Sequence, residues 1–247
     1  MVFNVFSSSV YTNTHTHHRD VLYSCLLLLI PTTKILLLLK LYEISEGCII
    51  FNKLKSTIRI SLLPLAKGIP FSPNMLTITG LVVSIITAMI FARGYVVLGG
   101  VFILLSGIFD VLDGAVARAS NRMTAFGAVL DSVCDRYADG IIFVGIIYGL
   151  LRGNIISGSL LFVPDWLWCS LALIGSYLVS YTRARSEAAG AKSMDIGFAE
   201  RPERMILLVL GSFTGYLIVS IVLIVILTHI TSLQRLIRAE RSLRFGP

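Results

Sequence analysis

The stretch DVLDGAVARASNRMTAFGAVLDSVCD, residues 110–135, places four aspartates among long apolar segments. Asp110 and Asp113 are spaced i, i+3, and Asp131 and Asp135 are spaced i, i+4. On a helix, either spacing puts both side chains on one face, with their Cβ atoms about 5–6 Å apart. Because a charged residue at membrane depth costs about 2.5–3.5 kcal/mol, such residues face the interior of a bundle and usually serve a function.

The composition of the chain is that of a membrane protein. Of its 247 residues, 55% are hydrophobic and only 14% are charged, whereas soluble domains are about one-quarter charged. The net charge of +7 arises from basic residues that cluster between apolar segments. This pattern is typical of positive-inside topology and of a site for anions, so nucleic acid is not an expected partner. The four cysteines contain no CxxC pair, so neither a disulfide framework nor a zinc site is expected.

Six membrane-spanning helices are predicted, since a span needs about 20 mostly apolar residues. The last apolar segment is short for two spans, but a single long span would leave the basic tail on the outer side. We therefore expect a hairpin there, with a turn near Ser212 to Gly215. The spans fall roughly at 74–92, 95–117, 125–150 and 164–184, with the last two within 203–235.

The predicted fold is all-α: a polytopic membrane protein, built as a six-transmembrane-helix bundle with an N-terminal interfacial helix. Residues 1–45 form an N-terminal extension of uncertain structure. Residues 46–72 mix Lys and Arg with Ile and Leu, which favours an amphipathic helix at the membrane interface over a soluble linker helix. Residues 73–238 form the transmembrane domain, and residues 239–247 form a basic cytoplasmic tail.

The distribution of basic residues predicts the orientation of the bundle. With residues 46–72 inside, the inner loops and the tail hold most of the basic residues, and the outer turns hold only Arg93 and Arg152. This asymmetry predicts the orientation of a multi-pass protein in the cell membrane, with residues 46–72 on the cytoplasmic side. One aspartate pair ends the second span and the other begins the third, so both pairs face each other at the cytoplasmic side.

The four carboxylates need countercharge, because they cannot all stay ionised together in a low-dielectric place. If Arg118 and Arg136 supplied it, the result would be a salt-bridged bundle with no chemistry. Divalent cations supply it better, since hard oxygen ligands suit Mg²⁺, Mn²⁺ or Ca²⁺, and two metals close together are a known clamp for phosphoryl displacement. Gly114 and Gly127 remove side chains where a phosphate or nucleotide must approach the backbone.

The aspartates and their neighbours form a pattern of eight specified positions at fixed spacing, Asp110-x2-Asp113-Gly114-x2-Ala117-Arg118-x8-Gly127-x3-Asp131-x3-Asp135. This pattern resembles the signature of the CDP-alcohol phosphatidyltransferases in every fixed position. The resemblance extends over roughly residues 50–238 and does not cover residues 1–45. It implies a six-helix bundle around a polar cavity open to the cytosol, and a homodimer. It also implies two Mg²⁺ or Mn²⁺ ions, held by Asp110, Asp113, Asp131 and Asp135.

The resemblance implies roles for single residues as well. Asp135 would be the general base that takes the proton from the acceptor hydroxyl; the activated oxygen would attack the lipid-side phosphorus of a CDP-linked lipid, and CMP would leave. Asp139 lies four residues further on, matches no signature position and is predicted to support the site or to partner an arginine. The implied CDP-lipid contacts are Asn74, Thr77, Asp113, Gly114, Arg118, Thr124 and Gly127. For Asn74 and Thr77, capping of the first span is an alternative or additional role.

A second basic segment, SYTRARSEAAGAKSMDIGFAERPER at residues 180–204, predicts a phosphorylated acceptor. Arginine binds phosphate through paired, charge-assisted hydrogen bonds, although positive-inside bias alone would also place arginines here. The segment is similar to that of the members that use inositol 1-phosphate, the phosphatidylinositol phosphate and archaetidylinositol phosphate synthases. By that similarity the acceptor phosphate would be bound by Ser180, Arg183, Arg185, Arg201 and Arg204.

The predicted reaction is transfer of a phosphatidyl-type group from CDP-archaeol or CDP-diacylglycerol to inositol 1-phosphate. With glycerol 3-phosphate as acceptor, the protein would instead be a phosphatidylglycerophosphate synthase. A membrane cation transporter that uses the aspartates as an ion path is the alternative of another class. Transporters often show repeats and broken helices in both halves, and the sequence shows neither. The cost of buried acids argues against a purely structural membrane protein.

Overall fold

The computed structural model describes residues 72–120, 123–156, 158–160, 162–191 and 194–245. The predicted interfacial helix and the N-terminal extension lie outside these residues, except for Ser72. Helices account for most of the described chain, and a small antiparallel hairpin, which the sequence analysis did not predict, joins two of them. The elements are α1 (Pro73–Ala92), α2 (Val96–Ala119), α3 (Ala125–Leu151), β1 (Ser159–Leu160), β2 (Val163–Pro164), α4 (Asp165–Ala188), α5 (Arg201–Thr214) and α6 (Leu217–Phe245).

Local chemistry explains where α1 and α3 begin. The Oγ of Ser72 accepts a hydrogen bond from the Met75 amide at 3.4 Å, and Pro73 follows in the first turn, where a missing N–H costs nothing. The Oγ1 of Thr124 caps α3 by accepting a hydrogen bond from the Gly127 amide at 2.9 Å. The capping alternative for Asn74 and Thr77 is therefore wrong, because Ser72 caps α1.

The helices pack around one apolar core. Helix α1 packs against α2 and α3, α4 packs against α3 and α6, and α5 packs against α2 and α6. All six helices contribute buried side chains to the largest apolar cluster, among them Phe91, Ile103, Phe143, Leu208 and Ile221. Large apolar side chains also cover the outside of the helices, as a surface that contacts lipid requires.

Three helices of the described chain are long and apolar enough to cross a membrane, judged by length and composition: α1, α2 and the Leu217–Arg244 part of α6. Helix α5 has 14 residues and so is about 21 Å long, short of a hydrocarbon core of about 30 Å. The turn between α5 and α6 lies at Gly215, whose φ of 78° suits glycine, at the end of the predicted interval. Helix α6 continues to Phe245, so most of the predicted tail is helical.

We expect Gly145→Ala to weaken the contact between α1 and α3. A Cβ atom at Gly145 would lie 2.7 Å from the Cα and 2.8 Å from the carbonyl carbon of Ala88, and the backbone of α1 cannot move aside cheaply. Overpacking of this kind costs about 1–3 kcal/mol. The midpoint of thermal unfolding in detergent should therefore fall by roughly 2–10 °C. Gly107→Ala is the matched control, since a Cβ there meets no atom within 4 Å. An equal loss in both variants would contradict the packing argument.

Candidate active site

Helices α2 and α3 bring together the four aspartates of the motif at residues 110–135. Oxygen atoms of Asp110, Asp131 and Asp135 all lie within 4.8 Å of one another. Asp113 is buried and lines the same cleft as Asp110 and Asp135, and its Oδ2 accepts a hydrogen bond from the Thr77 hydroxyl at 2.6 Å. The structure thus places three carboxylates within mutual reach of one cation and the fourth beside them.

Three of the carboxylates, those of Asp110, Asp113 and Asp135, line a small cleft that is partly open to solvent. Its walls come from α1, α2 and α3, and the first residue of α5 closes it. Several small side chains in these walls were not predicted from the sequence, because small and apolar residue types are not in themselves signs of a functional site. The lining residues are Thr77, Gly80, Leu81, Ser106, Asp110, Asp113, Cys134, Asp135, Ala138 and Arg201.

Arg201 enters the carboxylate cluster from the start of α5. Its Nη1 lies 2.5 Å from Asp135 Oδ1 and 2.7 Å from Asp110 Oδ1. Its Nε donates to Asp139 Oδ1 at 3.2 Å, which confirms that Asp139 partners an arginine. Arg136, which was considered as a counterion from its place in the sequence, neutralises the cluster less. It lies 3.4 Å from Asp135 Oδ2 and is far more exposed than Arg201. The main countercharge therefore comes from a residue that is distant in sequence.

A buried ion pair holds the start of α5 against α3. Arg204 and Asp139 are 3% and 2% exposed, and Arg204 Nη2 donates to Asp139 Oδ2. Arg204 Nη1 also donates to the Ala199 carbonyl at 2.6 Å. Because Asp139 receives both Arg204 and Arg201, this carboxylate orients the arginine that reaches the cleft. In the structure Arg204 supports the site from behind, and its contact with an acceptor phosphate stays a prediction.

The other predicted acceptor residues lie on α4, away from the cleft walls. Arg183 pairs with three carboxylates, and the shortest distance is 2.6 Å, to Asp195 Oδ1. Ser180 donates to the Ser176 carbonyl at 3.4 Å, and Arg185 is exposed. Of the five residues predicted to bind the acceptor, the structure therefore places Arg201 in the cleft. The carboxylates that pair with Arg183 are Glu187, Asp195 and Glu200.

Arg235 is one of the basic residues that the positive-inside pattern places on the inner side, but the structure buries it. The side chain is 2% exposed, its Nε donates to the Ile196 carbonyl at 3.0 Å, and its Nη1 donates to the Val179 carbonyl at 2.7 Å. Its Nη2 lies 3.6 Å from Glu200 Oε1. Arg235 of α6 thus ties α4 to the connection that leads into α5. The pattern of arginines on α6 could not reveal this, because burial depends on what packs against the helix.

The predicted nucleotide contacts gather where α1 and α3 begin. A Cβ at Gly127 would lie 2.9 Å from Thr124 Oγ1 and 3.4 Å from Asn74 Oδ1, so these side chains crowd the glycine. On α2, the Arg118 guanidinium folds back over Gly114, where an added Cβ would lie 3.4 Å from its Nη1. The glycines therefore already have a packing role, and their contact with a nucleotide stays a prediction.

The oxygen cluster fits a hard divalent cation. Asp110, Asp131 and Asp135 offer only carboxylate oxygens, the ligand type that Mg²⁺ and Mn²⁺ prefer. The Oδ1 of Asp131 is buried and has no hydrogen-bond partner among the described residues. Buried polar atoms are normally satisfied, so an unsatisfied carboxylate oxygen beside two other carboxylates marks a place for a cation.

Known proteins are similar to this chain in both sequence and fold. Residues 71–237 match the model of the CDP-alcohol phosphatidyltransferase family. The archaetidylinositol phosphate synthase of Methanothermobacter thermautotrophicus is 37% identical over 208 residues, which cover 82% of this chain and 99% of that protein. The same synthase of Pyrococcus horikoshii is 35% identical over 71% of this chain and 87% of its own length.

Solved structures of the phosphatidylinositol phosphate synthase of Mycobacterium tuberculosis are also similar. The crystal structure with CDP-DAG bound superposes with a TM-score of 0.60 at 32% identity, covering 76% of this chain and 94% of that one. A crystal structure of the same protein in complex with manganese and citrate superposes with a TM-score of 0.61 at 31% identity, covering 75% and 88% of the two chains.

We expect Asp139→Asn to destabilise the protein, because Arg204 would keep its buried charge without a charged partner. Removal of one member of a buried ion pair costs about 3–5 kcal/mol of unfolding free energy. Glu240→Gln is the control, since it breaks the exposed pair of Glu240 and Arg244, which is worth about 0–1 kcal/mol. Denaturant unfolding of both variants in detergent measures the difference. A loss for Asp139→Asn no larger than that of the control would show that the buried pair does not hold α5 in place.

Proposed function

Because the chain belongs to the CDP-alcohol phosphatidyltransferase family, we propose that it transfers the phosphatidyl-type group of a CDP-linked lipid to inositol 1-phosphate and releases CMP. One observation carries the proposal: Arg201 lies in the cleft directly beside the family's carboxylates. A cationic fork next to a metal-binding carboxylate cluster suits an acceptor that carries its own phosphate. The archaeal relatives are archaetidylinositol phosphate synthases, and the bacterial ones are phosphatidylinositol phosphate synthases, one of which has a structure with CDP-DAG bound. The proposed lipid donor is CDP-archaeol or CDP-diacylglycerol.

Asp110, Asp113, Asp131 and Asp135 hold Mg²⁺ or Mn²⁺, two ions per site. When bound, these ions supply Lewis-acid stabilisation of the charge on the pyrophosphate. The cytidine diphosphate group lies against the beginnings of α1 and α3 and the end of α2. Its proposed contacts are Asn74, Thr77, Asp113, Gly114, Arg118, Thr124 and Gly127.

Asp135 acts as the general base in this proposal. It lines the cleft on the α3 side, and its carboxylate takes the proton of the attacking hydroxyl of inositol 1-phosphate. The oxygen of that hydroxyl forms a bond to the lipid-side phosphorus. The bond from that phosphorus to the bridging oxygen breaks, and CMP leaves with the electron pair. Arg201 orients the acceptor phosphate, and Ser180, Arg183, Arg185 and Arg204 complete the acceptor site.

We propose that the protein spans the cell membrane six times, with its site facing the cytoplasm. It is an integral membrane protein by its family and its apolar helices. Helices α3 and α4 provide two further spans, and α5 pairs with α6 as the final hairpin. Residues 73–238 form this transmembrane domain, with an interfacial helix at 46–72 before it and a basic segment at 239–247 after it. The protein acts as a homodimer.

The first experiment measures CMP release by the purified protein with Mg²⁺ and a CDP-lipid, in the presence of either inositol 1-phosphate or glycerol 3-phosphate. We expect inositol 1-phosphate alone to stimulate release, and removal of the metal with EDTA to stop it. Stimulation by glycerol 3-phosphate alone would keep the reaction but replace the acceptor. No CMP release with either acceptor would overturn the enzymatic proposal and favour a transporter or a structural role.

We expect Asp135→Asn to abolish CMP release while the protein remains folded. The amide keeps the size of the side chain but can neither accept the proton nor contribute a charged ligand. A general base typically contributes 10²–10⁴-fold to a rate, so turnover should fall by at least about a hundredfold. Glu240→Gln on the exposed part of α6 is the matched control and should retain wild-type turnover. Appreciable residual activity of Asp135→Asn would remove its assignment as the base.

A further inference from the structure

Arg201 uses oxygen atoms that a divalent cation also needs. Its Nη1 lies 2.7 Å from Asp110 Oδ1 and 2.5 Å from Asp135 Oδ1, and both of these residues belong to the oxygen cluster. A metal ion binds carboxylate oxygens at about 2.0–2.6 Å and carries its charge into the same space. Two cations that draw on the same two carboxylates repel each other, so they compete for them.

Among the ion pairs of the described residues, Arg201 pairs with Asp110, Asp135 and Asp139 and not with Asp131, the third carboxylate of the cluster. The Oδ1 of Asp131 is buried and has no hydrogen-bond partner among the residues that the structure describes. Arg201 therefore neutralises part of the cluster and leaves at least one oxygen for another cation. The competition concerns the two shared carboxylates, Asp110 and Asp135.

The support of Arg201 allows it to move. Its Nε donates to Asp139 Oδ1 at 3.2 Å, while the other oxygen of Asp139 receives Arg204. The planar guanidinium moves as one group, so a rotation about the side-chain bonds that carry it would take Nη1 away from Asp110 and Asp135 and would also release Nε from Asp139. The buried pair of Asp139 and Arg204 would stay in place, because it uses the other oxygen of Asp139.

We propose that Arg201 is a mobile positioning residue that links metal binding to acceptor binding. In one arrangement its Nη1 pairs with Asp110 and Asp135, which opposes metal binding. In the other arrangement it pairs with the phosphate of the acceptor, which leaves both carboxylates to the metal. Metal and acceptor phosphate then favour the same arrangement, so each increases the affinity of the site for the other. This inference rests on the proposed function, because it takes inositol 1-phosphate as the phosphate ligand.

The test measures Mn²⁺ affinity, by the electron paramagnetic resonance signal of free Mn²⁺, with and without inositol 1-phosphate and in the absence of CDP-lipid. For the wild-type protein we expect inositol 1-phosphate to tighten Mn²⁺ binding about tenfold, within the usual range of coupling between two sites. For Arg201→Ala, Mn²⁺ should bind several-fold more tightly than to the wild type without any acceptor. Inositol 1-phosphate should then change that affinity about twofold or less.

Two further variants separate the proposal from simpler explanations. Arg241→Ala removes a positive charge from the exposed part of α6 and should leave the wild-type coupling unchanged. Arg201→Lys keeps the charge but has no second nitrogen to donate to Asp139, so the charge is positioned less well and the coupling should be lower than that of the wild type. Arg201→Ala should remain folded, because Asp139 keeps Arg204 as its partner; thermal unfolding confirms this before binding is measured.

The proposal is overturned if inositol 1-phosphate tightens Mn²⁺ binding equally in the wild type and in Arg201→Ala, since metal and phosphate would then interact without the arginine. It is also overturned if the wild type shows no coupling, or if Arg201→Ala binds Mn²⁺ no more tightly than the wild type. These failures differ from failure of the proposed function, because CMP release with inositol 1-phosphate would still be observed in the wild-type protein.

Discussion

The repulsion among carboxylates in one apolar bundle is the constraint on which the rest of the site depends. Asp110, Asp131 and Asp135 have oxygens within 4.8 Å of one another, and Asp113 adjoins them. In a low-dielectric place such a group is stable only with cations beside it and with hydrogen bonds to its oxygens. The structure provides both, through the Arg201 guanidinium and through the hydroxyl of Thr77.

The carboxylate cluster needs a cation, and the start of α5 supplies it in the form of Arg201. Arg201 reaches the cluster from the first turn of α5, and the buried pair of Arg204 and Asp139 links that turn to α3. Behind that turn, Arg235 donates to the carbonyls of Ile196 and Val179 and so secures the connection from α4. The arginines of this region therefore differ in burial. Arg235 and Arg204 are buried, and Arg201 is the member that lines the cleft.

Much of this site could be predicted from the sequence, because helix formation and the sharing of a helix face depend on residues close together in the chain. Apolar segments placed six helices close to their observed bounds, and the spacing of the aspartates predicted that each pair would share a helix face. Asp139 continues the same row on α3 but matches no signature position, so it was predicted to support the site or to partner an arginine, and the structure pairs it with two arginines. Other predictions failed where a local alternative was available: Ser72, one residue before the helix, caps α1 in place of Asn74 or Thr77. The small hairpin of β1 and β2 had no periodic signal, since each strand has two residues.

By itself, the sequence determined the all-α class and the membrane setting through its composition, and the acidic cluster through the spacing of the aspartates along two helices. The family followed from the resemblance of eight specified positions to a known signature. Only the tertiary structure decided which cation neutralises that cluster. Arg201 lies 91 residues beyond Asp110, whereas the counterions considered from the sequence, Arg118 and Arg136, are near neighbours of the aspartates. The choice among them depends on how α5 packs against α2 and α6 and on which arginines are buried, and no local pattern encodes either.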